Sequence, residues 1–412
     1  LPRGKKNRRS RRAGETQPFS CEKALNVQAG LVRLPGAIES LKLPSTRTPL
    51  TPRYDVSDLM ADPFGERSGH RFSMQKQILG GCFQFDSNSE ALLRLVEHTY
   101  AGLPPHQLPV AATPFHVELR LVSRHVPVES VDPPPMQMQS GAGLLCSVMD
   151  AFNYVMLVPD QHRALVVASE DMLSRPYHLR YELIEFAVFT LASRGLGLVP
   201  LHGACVGRDG HGLLLLGASG SGKSTLALHS LLHDLDFLAE DAVFVHPESM
   251  LATGVANFVH VKADALRFLD HADISRWISH APVIRRRSGV EKFEADLRDG
   301  YGRLAVAPLK LVGAVCVSRE SANDPDILLS AVPEHEAMAW LSDEQPYAAG
   351  QPGWHAFARR LARLGVHRLR RGHHPSASVE ALRQLLDSGG TTFPAAGGTY
   401  PHGNLAPGDV SF

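Results

Sequence analysis

Gly212-Leu213-Leu214-Leu215-Leu216-Gly217-Ala218-Ser219-Gly220-Ser221-Gly222-Lys223-Ser224-Thr225 is the stretch on which the reading of this chain turns. Four leucines run into a glycine-rich segment that fits G-x-x-x-x-G-K-S from Gly217 to Ser224. Leu213–Leu216 reads as a buried strand, and Leu228, Leu231 and Leu232 follow at i, i+3 and i+4, so the outgoing segment is a helix with one apolar face. Average residue usage yields such a match on the order of 0.02 times in a chain of this length, which sets it apart from an ordinary turn.

The chemistry of phosphate binding asks for this layout. Glycines let successive backbone N–H groups converge on phosphate oxygens without Cβ clashes. A helix N-terminus adds free donors and a positive partial charge. Lys223 then supplies a full charge to the β- and γ-phosphates, and the Ser224 hydroxyl is the expected Mg²⁺ ligand. Gly217, Ala218, Ser219, Gly220, Ser221, Gly222, Lys223, Ser224 and Thr225 together form the candidate nucleotide site, with ATP and Mg²⁺ as the expected cofactors.

The next acids decide what such a site can do. Strand-like Phe237-Leu238-Ala239 leads into Glu240-Asp241, beginning 17 residues after Lys223. Acids emerging there are placed to hold Mg²⁺ or to take a proton from an incoming nucleophile. No L-S-G-G-Q occurs, which argues against a transporter ATPase, and no N-K-x-D, which argues against a guanine-specific switch GTPase.

Working outward, short and nearly all-apolar strands alternate with helices from Val199 to a strand at Leu311–Val317, the pattern of an α/β unit with a buried sheet. Residues 203–207 and 213–216 are two of these strands. Helices are expected over Trp354–Leu364 and Val379–Leu386. Upstream, Phe83–Phe85 reads as a strand, Ser87-Asn88-Ser89-Glu90 as a capping box, and Leu92, Leu95, Val96, Thr99 and Tyr100 as a helix face. Phe115, Val117, Leu119 and Leu121 alternate with polar residues, and Asn153–Val158 with Arg163–Ala168 reads as a hairpin. A helix from Pro176 to Gly195 bridges to the α/β unit. The expected organisation is a basic tail and irregular arm over 1–75, a small α+β domain over 76–175, the P-loop core over 176–330, C-terminal helices over 331–388 and a disordered tail over 389–412.

Composition bounds the rest. The 412 residues are 44% apolar and 20% charged, which excludes a wholly disordered or collagen-like chain and suits two or three domains. The longest apolar run, Leu183–Ala192, carries Glu185 and is too short to cross a bilayer, so no membrane span is expected. With no apolar leader visible and five scattered cysteines in no C-x-x-C pair, the expected compartment is the cytoplasm. The formal net charge is zero, yet residues 1–12 hold seven cations and no acid. That run reads as a solvated tail, and no specific nucleic-acid partner is expected.

Leu201-His202-Gly203-Ala204-Cys205-Val206, with Gly212–Thr225 and Phe237-Leu238-Ala239-Glu240-Asp241, resembles the catalytic domain of the bacterial HPr kinase/phosphorylase family and its kinase-related offshoots. The resemblance implies the P-loop core shared with phosphoenolpyruvate carboxykinase, and transfer of a phosphoryl group from ATP to a serine of a protein or peptide. Carried over, Lys223 and Ser224 handle phosphates and metal, and Asp241, or the Glu240–Asp241 pair, serves as general base and metal partner. His202 hydrogen-bonds near that acid and the reacting phosphate. The pair here is Glu-Asp where the family has Asp-Asp.

Two further readings stay open at this level: a small-molecule kinase, and a nucleotide-gated binding module without catalysis. The oligomeric state, homo-oligomer included, is equally open. Arg285-Arg286-Arg287 and Lys292 form a basic segment that either closes over a γ-phosphate, docks an acidic substrate or is simply solvated. His229 and His233, one helical turn apart, have the spacing of a metal-chelating pair but no third ligand in the same segment.

Overall fold

A computed structural model describes residues 72–110, 114–124, 132–324 and 327–390. The basic tail, most of the arm and the segment after residue 390 lie outside these residues.

The N-terminal unit is one mixed sheet: β1 (Phe72–Ile78), β2 (Gly81–Ser87), β3 (Pro114–Val122), β4 (Gln137–Gly141), β5 (Leu144–Asp150), β6 (Asn153–Val158) and β7 (Arg163–Ser169), in the order β1-β2-β3-β7-β6-β5-β4. The β6–β7 hairpin closes with Val158 opposite Arg163. Period-two alternation turns Phe83, Phe85, Phe115, Val117 and Leu119 to one face, where α1 (Glu90–Tyr100) covers them with Leu92, Leu93 and Val96. The expected capping box does not form. Ser87 is the last residue of β2, and its buried hydroxyl donates to the Leu119 carbonyl at 2.8 Å, so Ser89 stands at the N-cap.

The bridging helix is two elements. A seven-residue π-helix, His178–Ile184, runs into α2 (Glu185–Gly195). The larger unit follows with β8 (Val199–His202), β9 (Ala204–Arg208), β10 (His211–Leu216), α3 (Lys223–Leu232), β11 (Asp236–Ala239), β12 (Ala242–His246), β13 (Leu251–Gly254) and β14 (Phe258–Val261). It continues with α4 (Ala272–Ser279), β15 (Val283–Arg285), β16 (Glu291–Asp296), β17 (Arg303–Leu304), β18 (Leu309–Ser321) and β19 (Leu329–Val332). Last come α5 (Glu334–Glu344), α6 (Pro346–Ala349), α7 (Trp354–Leu364), β20 (Val366–Arg371) and α8 (Pro375–Asp387).

Ten of these strands make one sheet in the order β17-β11-β9-β10-β18-β13-β12-β8, with β20 added along β18 and β19 along β20; β14-β16-β15 make a small separate sheet. Both faces of the large sheet are covered, which is why β10 is leucine at four successive positions. Leu213 and Leu215 pack with Leu226, Leu228 and Leu231 of α3 and with Leu382 and Leu385 of α8. Leu214 and Leu216 pack on the opposite face with Trp354, Phe357 and Leu361 of α7. The segment 331–388 is therefore not a separate set of helices. Its strand β20 lies parallel to β18, so α7 lies on the crossover between two strands of the same core, and α8, after the last strand, packs on the opposite face of the sheet.

The two units meet over a polar and apolar seam. Asn257 Nδ2 donates to the Thr99 and Ala101 carbonyls at the end of α1, at 2.8 and 3.0 Å. His106 bonds Thr253 Oγ1 at 2.7 Å, and its Nε2 donates to the Ala305 carbonyl at 3.0 Å. Phe244 of β12 packs on Phe189 of α2 with ring centres 5.1 Å apart.

Candidate functional site

β10 ends the buried part of its path at Leu216 and releases the chain into the loop Gly217–Gly222, after which α3 begins at Lys223. Parallel β10 and β18 bring Val317 against this loop, so a Cβ on Gly217 would stand 2.7 Å from the Val317 carbonyl oxygen, at a φ of +133°. Only glycine fits there. Two arginines hold the loop from outside: Arg319 donates to the Ser219 carbonyl, and Arg371 Nη2 to those of Gly220 and Ser221 at 3.2 and 3.0 Å.

Lys223 folds back over the loop, and its Nζ donates to the carbonyls of Gly217 and Ala218 at 2.5 and 3.3 Å. Burial lowers its pKa below the usual lysine value, against the pull of Asp241, Glu344 and Glu240. Ser224, one residue on, donates its hydroxyl to Glu240.

Glu240 and Asp241 form the link between β11 and β12, and the two carboxylates part there. Glu240 turns inward and is 5% exposed. Its Oε2 accepts from His260 Nδ1 at 2.9 Å and from the His260 backbone N–H at 3.3 Å, and Lys292 Nζ lies 3.6 Å from Oε1. Burial alone would raise this carboxyl, but Lys292 and the His260 hydrogen bond outweigh it and hold the pKa at about 2. Asp241 turns outward with its side chain 42% exposed. Arg286 Nη2 donates to its Oδ2 at 3.2 Å, and His202 Nδ1 stands 3.6 Å from Oδ1, an ion-pair distance longer than a hydrogen bond. Desolvation by the surrounding protein opposes the Asp241 charge, yet Arg286, His202 and Lys292 together keep the carboxyl well below the ordinary aspartate range.

The β8–β12 register explains how His202 reaches this place: it lies opposite Ala242, next to Asp241, and the Gly203 N–H donates to the Asp241 carbonyl at 3.2 Å. Gln345, at the end of α5, clamps His202 by accepting from its N–H at 2.8 Å and donating to its carbonyl at 2.9 Å.

The sequence offered Asp241, or the Glu240–Asp241 pair, as partner of Ser224; in the structure the Ser224 hydroxyl bonds Glu240, since the chain after Ala239 turns residue 240 back under α3 and residue 241 toward the opening. The basic segment 285–292 is a hairpin, and its cations part company. Arg285 is exposed, Arg286 reaches Asp241, Arg287 reaches Glu182 in two contacts, and Lys292 reaches Glu240. His229 and His233 do not converge on a shared point. His233 Nδ1 donates to the His229 carbonyl at 2.7 Å, and burial pushes His229 down to about pKa 4, so it is neutral. Among the described residues no group of three His, Cys, Asp or Glu is placed to hold a metal.

Four residues escaped the reading of the sequence. His260 Nε2 lies 3.2 Å from Glu294 Oε1 and 2.6 Å from the Tyr181 hydroxyl, which itself donates to Glu294 at 2.8 Å. Glu294 is gripped by both terminal nitrogens of Arg180. The one signal available was the alternation Lys292, Glu294, Asp296, charges on a single face of a strand that should otherwise be half apolar.

No family model and no curated protein matches the chain. Among solved structures it is similar to the Hpr(Ser) kinase/phosphatase from Coxiella burnetii, at 13% identity and a TM-score of 0.23, over 46% of this chain and 88% of that one. A superposition that loose assigns neither family nor activity. No helix among the described residues is long and apolar enough to cross a membrane.

Proposed function

We propose that the chain is a Mg-ATP-dependent kinase of the HPr kinase-like kind, moving the γ-phosphoryl group to a serine hydroxyl of a protein or peptide. The observation that carries this reading is the division of labour at 240–241: one carboxylate is drawn in against the Ser224 hydroxyl at the head of α3, the next faces the opening. A hydroxyl and a carboxylate are hard oxygen donors, which suits Mg²⁺, an ion that keeps water and phosphate for most of its shell. Ser224 and Glu240 would hold it, and when bound it would neutralise charge across the β- and γ-phosphates.

The remaining work falls to the protein. The Gly217–Gly222 loop and the N-terminus of α3 cradle phosphate oxygens, and Lys223 exchanges its two carbonyl partners for phosphate. Asp241 takes the proton of the acceptor hydroxyl as its oxygen bonds to the γ-phosphorus; the bond from phosphorus to the β–γ bridging oxygen breaks, and ADP leaves with that electron pair. An aspartate tied to Arg286 is a weak base, so Arg286 acts twice. Its release of Asp241 restores the basicity of that carboxylate, and the freed guanidinium meets the charge on the transferring phosphoryl group. His202 steadies Asp241 from the other side.

Incubation with [γ-³²P]ATP and candidate acceptors, starting with short peptides encoded beside the gene, tests the reading. The expected product is phosphoserine in a peptide, absent with Lys223→Ala. Label on a free metabolite alone makes the chain a small-molecule kinase, and nucleotide binding with no transfer makes it a binding module.

A further inference from the structure

Glu240 is one end of a line of buried charges that leaves the phosphate site altogether. From Ser224 it passes through Glu240, His260 and Glu294 to Arg180, with the Tyr181 hydroxyl bridging His260 and Glu294. Arg180, Glu294, His260 and Glu240 are all nine-tenths or more buried. Acidic and basic groups alternate along the line, with His260 set between the carboxylates of Glu240 and Glu294. Burying such groups is costly and gives stability no better than apolar packing would. What such a line does supply is direction, because each group has one orientation that satisfies both neighbours.

A second line starts two residues further on. Glu182 holds Arg287, which also donates to the Pro133 and Pro134 carbonyls of the N-terminal unit at 2.8 and 2.9 Å. Its neighbour Arg286 is the group on Asp241. Arg180, Tyr181 and Glu182 are consecutive, and side chains at i and i+1 of an α-helix do not face the same way. All three engage the small sheet and its hairpin here, and they sit in a π-helix, an uncommon element found mostly at functional sites.

We propose that the π-helix His178–Ile184 is a positioning element for the phosphate site: Arg180, acting through Glu294 and His260, aims the carboxylate of Glu240, while Glu182, acting through Arg287, sets the reach of Arg286. The proposal rests on Glu240 being the metal partner of Ser224. Arg180, Glu294 and His260 are positioning residues, and groups in this relation to a metal ligand typically change metal affinity when lost.

The test is Mn²⁺ binding to the full chain with AMP-PNP present, followed by the electron paramagnetic resonance signal of free Mn²⁺, alongside AMP-PNP affinity without metal. Glu294→Gln and Arg180→Met are expected to weaken Mn²⁺ binding by about 10- to 100-fold while metal-free nucleotide affinity stays nearly constant, with Arg180→Lys recovering part of the loss. Tyr181→Phe removes a single hydroxyl, keeps the packing, and is expected to shift Mn²⁺ affinity less in the same direction. Unchanged Mn²⁺ affinity in Tyr181→Phe and in whichever of the two larger changes folds would overturn the relay and leave the kinase reading standing. A wild-type chain that takes up no Mn²⁺ with nucleotide would overturn both.

Discussion

Asp241 stands between two basic side chains, Arg286 at 3.2 Å and His202 at 3.6 Å, and its neighbour Glu240 has no such freedom to meet a substrate because it is buried against His260. On the proposed reading adjacent residues carry opposite duties, and substitution should separate them. Asp241→Asn keeps the shape and removes the proton acceptor, so phosphoryl transfer is expected to fall by about 10²- to 10⁴-fold while Mg-ATP binding weakens far less. Single-turnover transfer and nucleotide titration on the same preparation check this. His202→Ala should lower the same step by less, and the double variant should be little worse than Asp241→Asn, since residues acting as a unit do not add. Losses that simply multiply would show that His202 works independently of Asp241.

At the scale of the element, the joined π- and α-helices carry a titrating group of unusual sign. Glu185, at the first turn of α2, is raised to about 7 by burial, with Arg180 opposing at 3.7 Å. A carboxyl whose folded pKa lies above its unfolded value of 4.5 favours the folded state while protonated. Its contribution is complete below 4.5 and fades as pH rises toward about 7, by on the order of 3 kcal/mol. Glu294 runs the other way, at about 2, and loses its contribution only as pH falls below 4.5. Buried His229, pushed down to about 4, works in the opposite sense over the same range, so the Glu185 share is read by difference: in urea unfolding between pH 4.5 and 7, the stability of Glu185→Gln relative to the wild type should rise with pH. Parallel curves for the two proteins would mean that Glu185 is ionised throughout.

For the molecule as a whole, the seam makes the two units one cooperative body. Asn257 leaves the large unit to satisfy two carbonyls at the end of α1, Arg298 Nη1 donates to the His98 carbonyl at 2.8 Å, and Phe244 belongs to the apolar core of the N-terminal unit. Calorimetry is expected to give a single transition, lowered in Asn257→Ala by about 1–3 kcal/mol because the abandoned carbonyls stay buried. Two resolved transitions in the unaltered chain would show that the units unfold separately.

What could be read without coordinates was local. Four leucines before Gly217 mean a doubly covered strand, because no other environment tolerates apolar side chains on both faces. The glycine loop, Lys223 and Ser224 are contiguous, so their geometry is set by the backbone between neighbours, and the α/β pattern around them follows from the period of apolar residues. The same reasoning failed where partners are far apart along the chain. It split off 331–388 because helices are visible locally while the pairing of β20 with β18, some fifty residues away, is not. It could not choose between Glu240 and Asp241 as the neighbour of Ser224, because one-residue alternation at a strand end decides which carboxylate turns inward, and spacing alone does not reveal which face is in. His260, Glu294 and Arg180 had no signature at all. They meet because β14, β16 and the π-helix pack together, and a hydrogen-bonded line of buried charges exists only once the tertiary structure has excluded water from around it.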